Sequence, residues 1–248
     1  MEDHELLRRA EDLCSRCARS ASLTHTGFLS PAERYLLENW AKRRADCRLL
    51  FHGGGRDCER TVAFFLPEWM EEDAFEPGEE ICAMHLTAYF GEPGHRDYLG
   101  AILGMGIGRE WLGDIRVEGQ QAYVFCLPSV LRHLLGIEKV GRISVKAEEL
   151  PLASVPEPKR EVKELSFSVM SLRLDAVVAG MFRLPRTEAA RQIAAGAVSL
   201  NYQECLKTDQ TVREGDVLSL RGAGKGTVTG TGGTSRKGRL FVYAEIYQ

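Results

Sequence analysis

The sequence has no uninterrupted apolar run approaching the roughly 18 residues that a membrane-spanning helix needs. It opens MEDHE, which is acidic where a secretory signal would be basic. We therefore expect a cytoplasmic protein without a membrane span. The 248 residues exceed the usual size of one domain, and a hydrophobic content of 44% suffices for ordinary cores, so two or three folded domains are expected.

Cysteine is sparse and odd in number, and seven scattered cysteines in a chain without an export signal argue against a disulfide framework. Cys14 and Cys17 form a C-x-x-C motif, but a structural zinc site needs two further Cys or His residues at motif spacing, which the flanking sequence lacks. The pair also falls within an amphipathic helical pattern. We expect two small, semi-buried helix residues and no metal site.

The sequence lacks the motifs of nucleotide-binding and catalytic sites. Residues 52–55 (HGGG) do not end in the Gly-Lys-Ser/Thr of a phosphate-binding loop. In a dinucleotide site the glycines follow a strand and open a helix, whereas those of residues 104–109 (GMGIGR) are predicted to close a helix. His85 and His95 have no nucleophile or third partner placed by the pattern. We therefore expect no cofactor, no catalytic residue and no enzymatic activity.

Residues 1–75 have the pattern of an N-terminal helical and mixed domain. Ser30 and Glu33 flank a strong helix start, since Ser caps, the intervening Pro suits the first turn and Glu completes a capping box. The predicted elements are a helix over residues 4–20, a polar break over 21–27, a helix from 31 to about 44, a strand over 61–66 and an acidic linker over 71–80.

Residues 76–151 show the order βαββαβ, which is that of a ferredoxin-like, or RRM-like, domain. The predicted elements are strands over residues 81–90, 115–118, 121–127 and 142–145, and helices over 97–103 and 129–136, the second capped by Ser129. Tyr123 and Phe125 alternate on the third strand and so point to one face of the sheet. Aromatics on that face stack on bases in RNA-recognition domains, whereas core packing is the commoner fate of such side chains, and both alternatives stay open.

A proline-containing linker over residues 152–167 separates this part from a C-terminal domain at 168–248. The net charge of −3 is unevenly spread along the chain. Residues 170–248 carry 11 Lys and Arg against 7 Asp and Glu, whereas the preceding 169 residues carry 21 against 28. A basic C-terminal domain on an acidic chain is the electrostatic pattern expected of an RNA-binding protein.

The C-terminal domain begins with the pattern helix, helix, hairpin. Its predicted elements are helices over residues 172–182 and 187–195 and strands over 198–200 and 217–220. Pro185 fits the first turn of the second helix, and Gly196 suits its end. Arginines recur along both helices, and arginines on a helix can fork onto phosphate oxygens, so this domain is predicted to bind RNA.

Two ordered sets of motifs resemble a known family. LRLD at residues 172–175, IAAGAV at 193–198 and SLRG at 219–222 resemble an S4 RNA-binding domain. HRDYLGAILG at 95–104 is similar to the central domain of the YlmH family of bacterial S4-domain proteins, and TSRKGR at 234–239 resembles the basic C-terminal turn of that family. The resemblance covers nearly the whole chain, more loosely over its first 80 residues.

The resemblance implies an α+β protein whose C-terminal S4 domain, of the αL type, binds RNA without catalysis. It implies association with the large ribosomal subunit, with 23S rRNA and peptidyl-tRNA as RNA partners, in rescue and quality control of stalled translation. A monomer is expected. The positions assigned to RNA binding are Arg173, Arg183, Arg186, Thr187, Arg191, Asn201, Lys207, Arg221, Lys225, Arg236, Lys237 and Arg239.

Two positions depart from the S4 pattern. Pro185 stands where the family usually has Ser before the arginine of the second helix, which removes a hydroxyl that could cap the helix or contact phosphate. Thr187 is the candidate replacement for that hydroxyl. Lys225 stands where the family often has Arg, which keeps the charge but gives up a bidentate contact with phosphate.

Two other classes of function stay open from the sequence. An RNA-modifying enzyme could use the S4 domain as an anchor, although the rest of the chain shows no recognisable catalytic Asp motif or cofactor loop. Alternatively, the acidic N-terminal region of an adaptor could bind a protein partner while RNA only localises it. Some relatives are linked to cell division or to photosynthetic membranes.

Overall fold

A computed structural model describes residues 3–158, 162–234 and 238–247 of the chain. The chain separates into two compact units, Met1–Pro158 and Lys159–Gln248, called here the N-terminal and C-terminal units. Helices and strands both contribute throughout, which confirms the predicted α+β class. Within the described residues, no helix combines the length and the apolar character needed to cross a bilayer.

The first part of the N-terminal unit is a three-stranded antiparallel sheet with two helices on one face. Its elements are α1 Asp3–Ser20, β1 Thr24–Leu29, α2 Pro31–Ala41, β2 Leu49–His52 and β3 Thr61–Phe65, and the strand order is β1-β3-β2. The predicted capping box of α2 is confirmed, because the Ser30 N–H donates to Glu33 Oε2 at 2.7 Å and the Glu33 N–H donates to Ser30 Oγ at 3.3 Å.

Two local predictions for this part differ from the structure. The polar break over residues 21–27 is largely strand β1, because the hydroxyls of its buried threonines are satisfied: Thr24 donates to the Leu13 carbonyl at 2.9 Å, and Thr26 accepts from the Ala63 N–H at 3.0 Å. The acidic linker over 71–80 is packed, since the Phe75 ring is buried with its centroid 4.6 Å from that of Phe64. A single aromatic therefore anchors an otherwise polar segment.

Cys14 and Cys17 are buried on the inner side of α1, as predicted. The Cys17 thiol donates to the Phe65 carbonyl at 3.2 Å, and burial raises its pKa. Both cysteines belong to the apolar core that α1 and α2 form with the sheet. They therefore behave as small core residues of a helix.

The second part of the N-terminal unit is the predicted βαββαβ domain. Its elements are α3 Pro77–Glu80, β4 Cys82–Ala88, α4 His95–Gly104, β5 Leu112–Glu118, β6 Gln121–Cys126, α5 Pro128–Leu134, β7 Lys139–Val140 and β8 Ile143–Leu150. The antiparallel order β5-β6-β4-β8, with β7 added at the edge, is that of the ferredoxin-like fold. One prediction was wrong: α5 begins at Pro128 after Leu127, so Ser129 lies inside its first turn and is not its cap.

The two faces of this central sheet are both engaged. Helices α4 and α5 cover one face, where Tyr98 and Ile102 pack in a large apolar core. On the opposite face Phe125 is fully buried beneath Gly54, whose φ of +95° and contact with the ring leave no room for a side chain. Tyr123 stacks on His85 with ring centroids 5.0 Å apart. Of the two alternatives for these aromatics, core packing is therefore the one adopted.

The C-terminal unit is a six-stranded antiparallel sheet covered by two helices. Its elements are β9 Val162–Val169, α6 Leu174–Met181, α7 Arg186–Ala194, β10 Val198–Leu200, β11 Gln203–Glu204, β12 Val217–Leu220, β13 Gly224–Thr234 and β14 Leu240–Tyr247. The strand order is β11-β10-β12-β13-β14-β9. The predicted helix pair and its first hairpin are thus present, and Gly196 ends α7 with a φ of +69°.

The linker predicted over residues 152–167 is wrong for residues 162–167, which belong to strand β9. It pairs with β14 along its whole length, from Val162 opposite Tyr247 to Val169 opposite Leu240. The period-two alternation of Leu165, Phe167 and Val169 turns these side chains into the core of the unit. Residues 159–161 of the predicted linker lie outside the described residues.

Candidate RNA-binding surface

Three charged residues form a hydrogen-bonded cluster at the N-terminus of α6 in the C-terminal unit. Arg173 Nε and Nη2 donate to the two carboxylate oxygens of Asp175, each at 3.3 Å. Arg186 Nη2, on the first residue of α7, donates to both of the same oxygens at 3.1 Å. One carboxylate therefore fixes two guanidinium groups that belong to different helices.

In this cluster the carboxylate is buried and the two guanidinium groups are exposed. The Asp175 side chain is 9% exposed, whereas those of Arg173 and Arg186 are 39% and 55% exposed. Burial raises the pKa of Asp175, but hydrogen bonds from the two arginines outweigh it and leave that pKa below its ordinary value. Asp175 is therefore ionised at neutral pH, and each arginine keeps further N–H donors directed away from it.

The loop over residues 208–212 is hydrogen-bonded to the N-terminus of α6. The Leu174 and Asp175 N–H groups donate to the carbonyls of Gln210 and Thr208, at 2.8 and 3.0 Å, and the Val212 N–H donates to the Leu172 carbonyl at 2.8 Å. Lys207 lies exposed in the turn that opens this loop. Backbone hydrogen bonds thus join the loop that follows Lys207 to the start of α6.

Helix α7 presents exposed polar side chains along its first two turns. Pro185 is its N-cap residue and offers no capping oxygen, while Thr187 is exposed one residue beyond Arg186. Arg191 donates to Glu188 at 2.8 and 2.6 Å and remains 69% exposed. Hydrogen bonds from Arg191 and Gln192 lower the pKa of Glu188 to about 2. Arg191 is therefore steered by an acid on its own helix.

Three predicted residues lie around the first hairpins. Asn201 donates to Asp216 Oδ1 at 2.8 Å and accepts from the Val217 N–H at 2.9 Å, so its side chain ties β10 to the start of β12. Lys225 places its ammonium 5.9 and 5.7 Å from the ring centroids of Tyr202 and Tyr247. Arg221 is exposed at the end of β12. Asn201 thus has a structural hydrogen-bonding function that its sequence motif did not indicate.

The remaining predicted residues lie apart from one another. Arg183 is exposed between α6 and α7 with a φ of +55°, an uncommon backbone conformation for a residue with a side chain. Arg239 bonds through Nε to Ser168 Oγ at 3.1 Å, near the start of β14. The β13–β14 register places Arg239 and Lys225 at opposite ends of that hairpin. Arg236 and Lys237 lie outside the described residues.

The sequence prediction missed Asp175 as the residue that organises the cluster. The signal that could have identified it is a lone acid in the first turn of an otherwise apolar helix, two residues after an arginine.

We call Arg173, Arg186, Thr187 and Arg191 the arginine surface. Among the described residues, no group of three or more His, Cys, Asp and Glu side chains is placed to hold a metal ion.

Comparisons with known proteins match two segments of the chain to protein families. Residues 72–154 match the family described as "Putative RNA-binding domain in YlmH", and residues 172–218 match the S4 domain. A solved structure described as cell division protein ylmH from Streptococcus pneumoniae has the same fold, with a TM-score of 0.54 and 23% identity. That similarity covers 62% of this chain and 93% of the other.

A curated relative extends the match over most of the chain. It is the ribosome-associated protein quality control protein P2 of Bacillus subtilis, which is 31% identical over 224 residues. The alignment covers 89% of this chain and 86% of that protein. The chain therefore belongs to the YlmH family of S4-domain proteins, as its motifs predicted.

Proposed function

We propose that this protein binds structured RNA of the large ribosomal subunit, together with peptidyl-tRNA, as a non-enzymatic factor in the quality control of stalled translation. The observation that carries the proposal is the pair of exposed guanidinium groups that Asp175 fixes on the S4 domain. Family membership adds support, since the B. subtilis relative is named as a ribosome-associated quality control protein.

The arginine surface suits recognition of an RNA backbone. Guanidinium groups fork onto phosphate oxygens, and holding Arg173 and Arg186 on one carboxylate lowers the conformational entropy that binding would cost. Thr187 adds a hydroxyl beside them. Because these groups contact phosphates, recognition depends on the shape of the folded RNA more than on its sequence.

The proposal assigns the main RNA contact to the C-terminal unit. In the central domain, Phe125 is fully buried and has no face on which a base could stack, and Tyr123 is nearly buried against His85. The strand positions that bind bases in RNA-recognition domains are thus used for packing in this chain. Deleting the C-terminal unit is expected to abolish ribosome binding.

Crosslinking in cells followed by sequencing of the bound RNA tests the proposal. The full-length protein is expected to crosslink to 23S rRNA and tRNA, and the Arg173→Ala/Arg186→Ala double variant to lose most of that signal at equal abundance. Crosslinks dominated by messenger RNA, or unchanged in the double variant, would contradict it. Mapping rRNA modifications in cells with and without the gene tests the enzymatic alternative, because a missing modification would favour an RNA-modifying enzyme.

A further inference from the structure

A small cavity in the N-terminal unit lies where β1 meets the 3-10 turn Arg109–Trp111. Its volume is about 210 Å³, and three arginines line it, namely Arg9, Arg60 and Arg109. Gly27 permits the close approach of the two segments, because a Cβ at this position would lie 2.6 Å from the Glu110 carbonyl oxygen. The glycine-rich segment 104–108, whose sequence context excludes a dinucleotide-binding loop, leads directly into this 3-10 turn.

Arg60 holds the walls of the cavity together. Its Nε donates to the Leu112 carbonyl at 2.9 Å, and its Nη2 donates to the carbonyls of Phe28 and Arg109 at 2.8 and 2.9 Å. Burial lowers the pKa of Arg60, and the nearby charge of Arg109 lowers it further. Neutral carbonyls thus satisfy its hydrogen bonds, and the charges of Glu33, Asp114 and Glu110 offset the lowering of its pKa only in part.

The guanidinium of Arg109 has a donor without an acceptor. Its Nη1 is buried and has no hydrogen-bond partner among the described residues, and burial lowers its pKa although the charge of Asp114 acts in the opposite direction. In the described part of the chain, no Asp or Glu oxygen lies within 4.0 Å of a guanidinium nitrogen of Arg60 or Arg109. Partly buried guanidinium groups without an ion pair are costly, so a partner that supplies oxygen atoms and negative charge to the cavity would be favoured.

Two carboxylates also line the cavity, and both are engaged locally. Glu33 Oε2 accepts from the Ser30 N–H and hydroxyl at 2.7 and 2.8 Å, within the capping box of α2. The Glu110 carboxylate packs against Gly108, where a Cβ would lie 2.4 Å from each of its oxygens. With three arginines against two glutamates, the lining retains an excess of positive charge.

We infer that this cavity binds an oxyanion of the phosphate class between Arg9, Arg60 and Arg109, the three arginines that line it, with the exposed Arg9 at its mouth. The volume lies below the roughly 300–1,000 Å³ of sites for larger organic ligands, so it suits a phosphate group and not a whole nucleotide. Phosphate oxygens are acceptors that match the planar donor geometry of guanidinium groups. The inference is independent of RNA binding by the S4 domain.

Tryptophan fluorescence provides a selective test, because all three tryptophans lie in the N-terminal unit and Trp111 is two residues from Arg109. Thermal unfolding of the full chain is followed in phosphate and in chloride at equal ionic strength. Phosphate is expected to raise the Tm of the wild type by about 3 °C. Arg109→Gln is expected to lose this rise, while Arg132→Gln, which removes an exposed arginine of α5, keeps it.

Equal Tm values in phosphate and chloride, or a full phosphate response in Arg109→Gln, would overturn the inference. If Arg109→Gln does not fold, Arg9→Gln replaces it, since Arg9 is exposed and its substitution is expected to weaken the response without affecting folding. Titration with the RNA dinucleotide pUpU and its 5′-hydroxyl counterpart distinguishes the sources of the anion. Once inorganic phosphate raises the Tm, a response to pUpU that its 5′-hydroxyl counterpart lacks assigns the site to an RNA 5′ end, and a response to inorganic phosphate alone assigns it to the free ion.

Discussion

The two units of this protein treat paired arginines in opposite ways. In the C-terminal unit, Arg173 and Arg186 share the carboxylate of Asp175, and their outer donors reach solvent. In the N-terminal unit, Arg60 and Arg109 lie beside one another with carbonyls as acceptors and no carboxylate within 4.0 Å among the described residues. The first pair shares a buried carboxylate, whereas only more distant carboxylates act on the second pair.

The difference indicates that the paired arginines of the C-terminal unit are oriented before a ligand binds, whereas those of the N-terminal unit would be stabilised by one. An arginine that is held by a buried acid has its charge and orientation settled before RNA arrives, so binding adds contacts to a preorganised group. A half-buried arginine without an ion pair is only partly compensated by distant acids, and a bound anion would complete that compensation. Similar residue pairs are therefore expected to respond differently to substitution.

Arg60→Met is expected to produce the largest loss of stability. It leaves three carbonyl oxygens without their donor, so the free energy of unfolding of the N-terminal unit should fall by about 3 kcal/mol. Urea unfolding followed by tryptophan fluorescence measures this change. Arg56→Met, at an arginine that is 71% exposed, serves as the control and should change stability by less than about 0.5 kcal/mol. A similar effect of both variants would refute the structural importance of Arg60.

Asp175→Ala is expected to cost the C-terminal unit about 2 kcal/mol, because it removes the shared acceptor of two partly exposed arginines. Ribosome binding should weaken as well, since Arg173 and Arg186 then repel one another and lose their orientation. Far-UV circular dichroism during urea unfolding and cosedimentation with large subunits measure the two effects. Glu214→Ala, at an exposed acid of the same unit, is the matched control.

The pH dependence of stability identifies the ionised carboxylate as the cause. The folded state lowers the pKa of Asp175, so its contribution is present above the unfolded pKa of about 4 and is lost as pH falls through the folded pKa. The wild type should therefore lose more stability than Asp175→Ala between pH 5 and 2. Parallel pH profiles of the two proteins would show that the ion pairs contribute nothing measurable.

Arg186→Ala should weaken binding to large ribosomal subunits about tenfold while leaving Asp175 paired with Arg173. The slope of the logarithm of affinity against the logarithm of salt concentration should fall by about one phosphate contact. Filter binding at several salt concentrations measures both quantities. Arg213→Ala, at another exposed arginine of the unit, should retain wild-type affinity. Equal losses for both variants would indicate a diffuse charge effect without a defined site.

Local patterns predicted much of this fold. The capping box at Ser30, the glycine that ends α7 and the order βαββαβ depend on residues close in sequence, and the structure confirms each of them. The helix predicted over residues 172–182 is present as α6, whose Val177 and Val178 are inaccessible. Periodicity and turn chemistry are sufficient wherever a segment and its nearest neighbours decide the structure.

Contacts between distant segments account for what the sequence did not predict. Arg60 donates to a carbonyl 52 positions away. The sequence predicts a linker where β9 lies, because its partner β14 is more than 70 positions further along the chain. The burial of Phe125 depends on Gly54, in a loop that the pattern predicted only as a turn. Arginines can be recognised as a type from the sequence, but their neutralising partners depend on tertiary structure.

Arg109→Met in chloride buffer should have the smallest effect of these substitutions. Methionine keeps an unbranched apolar stem in the cavity and removes a buried donor that has no partner among the described residues. Replacing an uncompensated buried charge by an apolar group is neutral or stabilising, so the free energy of unfolding should rise by about 0.5 kcal/mol. Tryptophan-detected urea unfolding measures this change beside Arg132→Met. A loss above about 2 kcal/mol would mean that Arg109 has a stabilising partner within the protein, as Arg186 has in Asp175, and the two arginine pairs would then not differ.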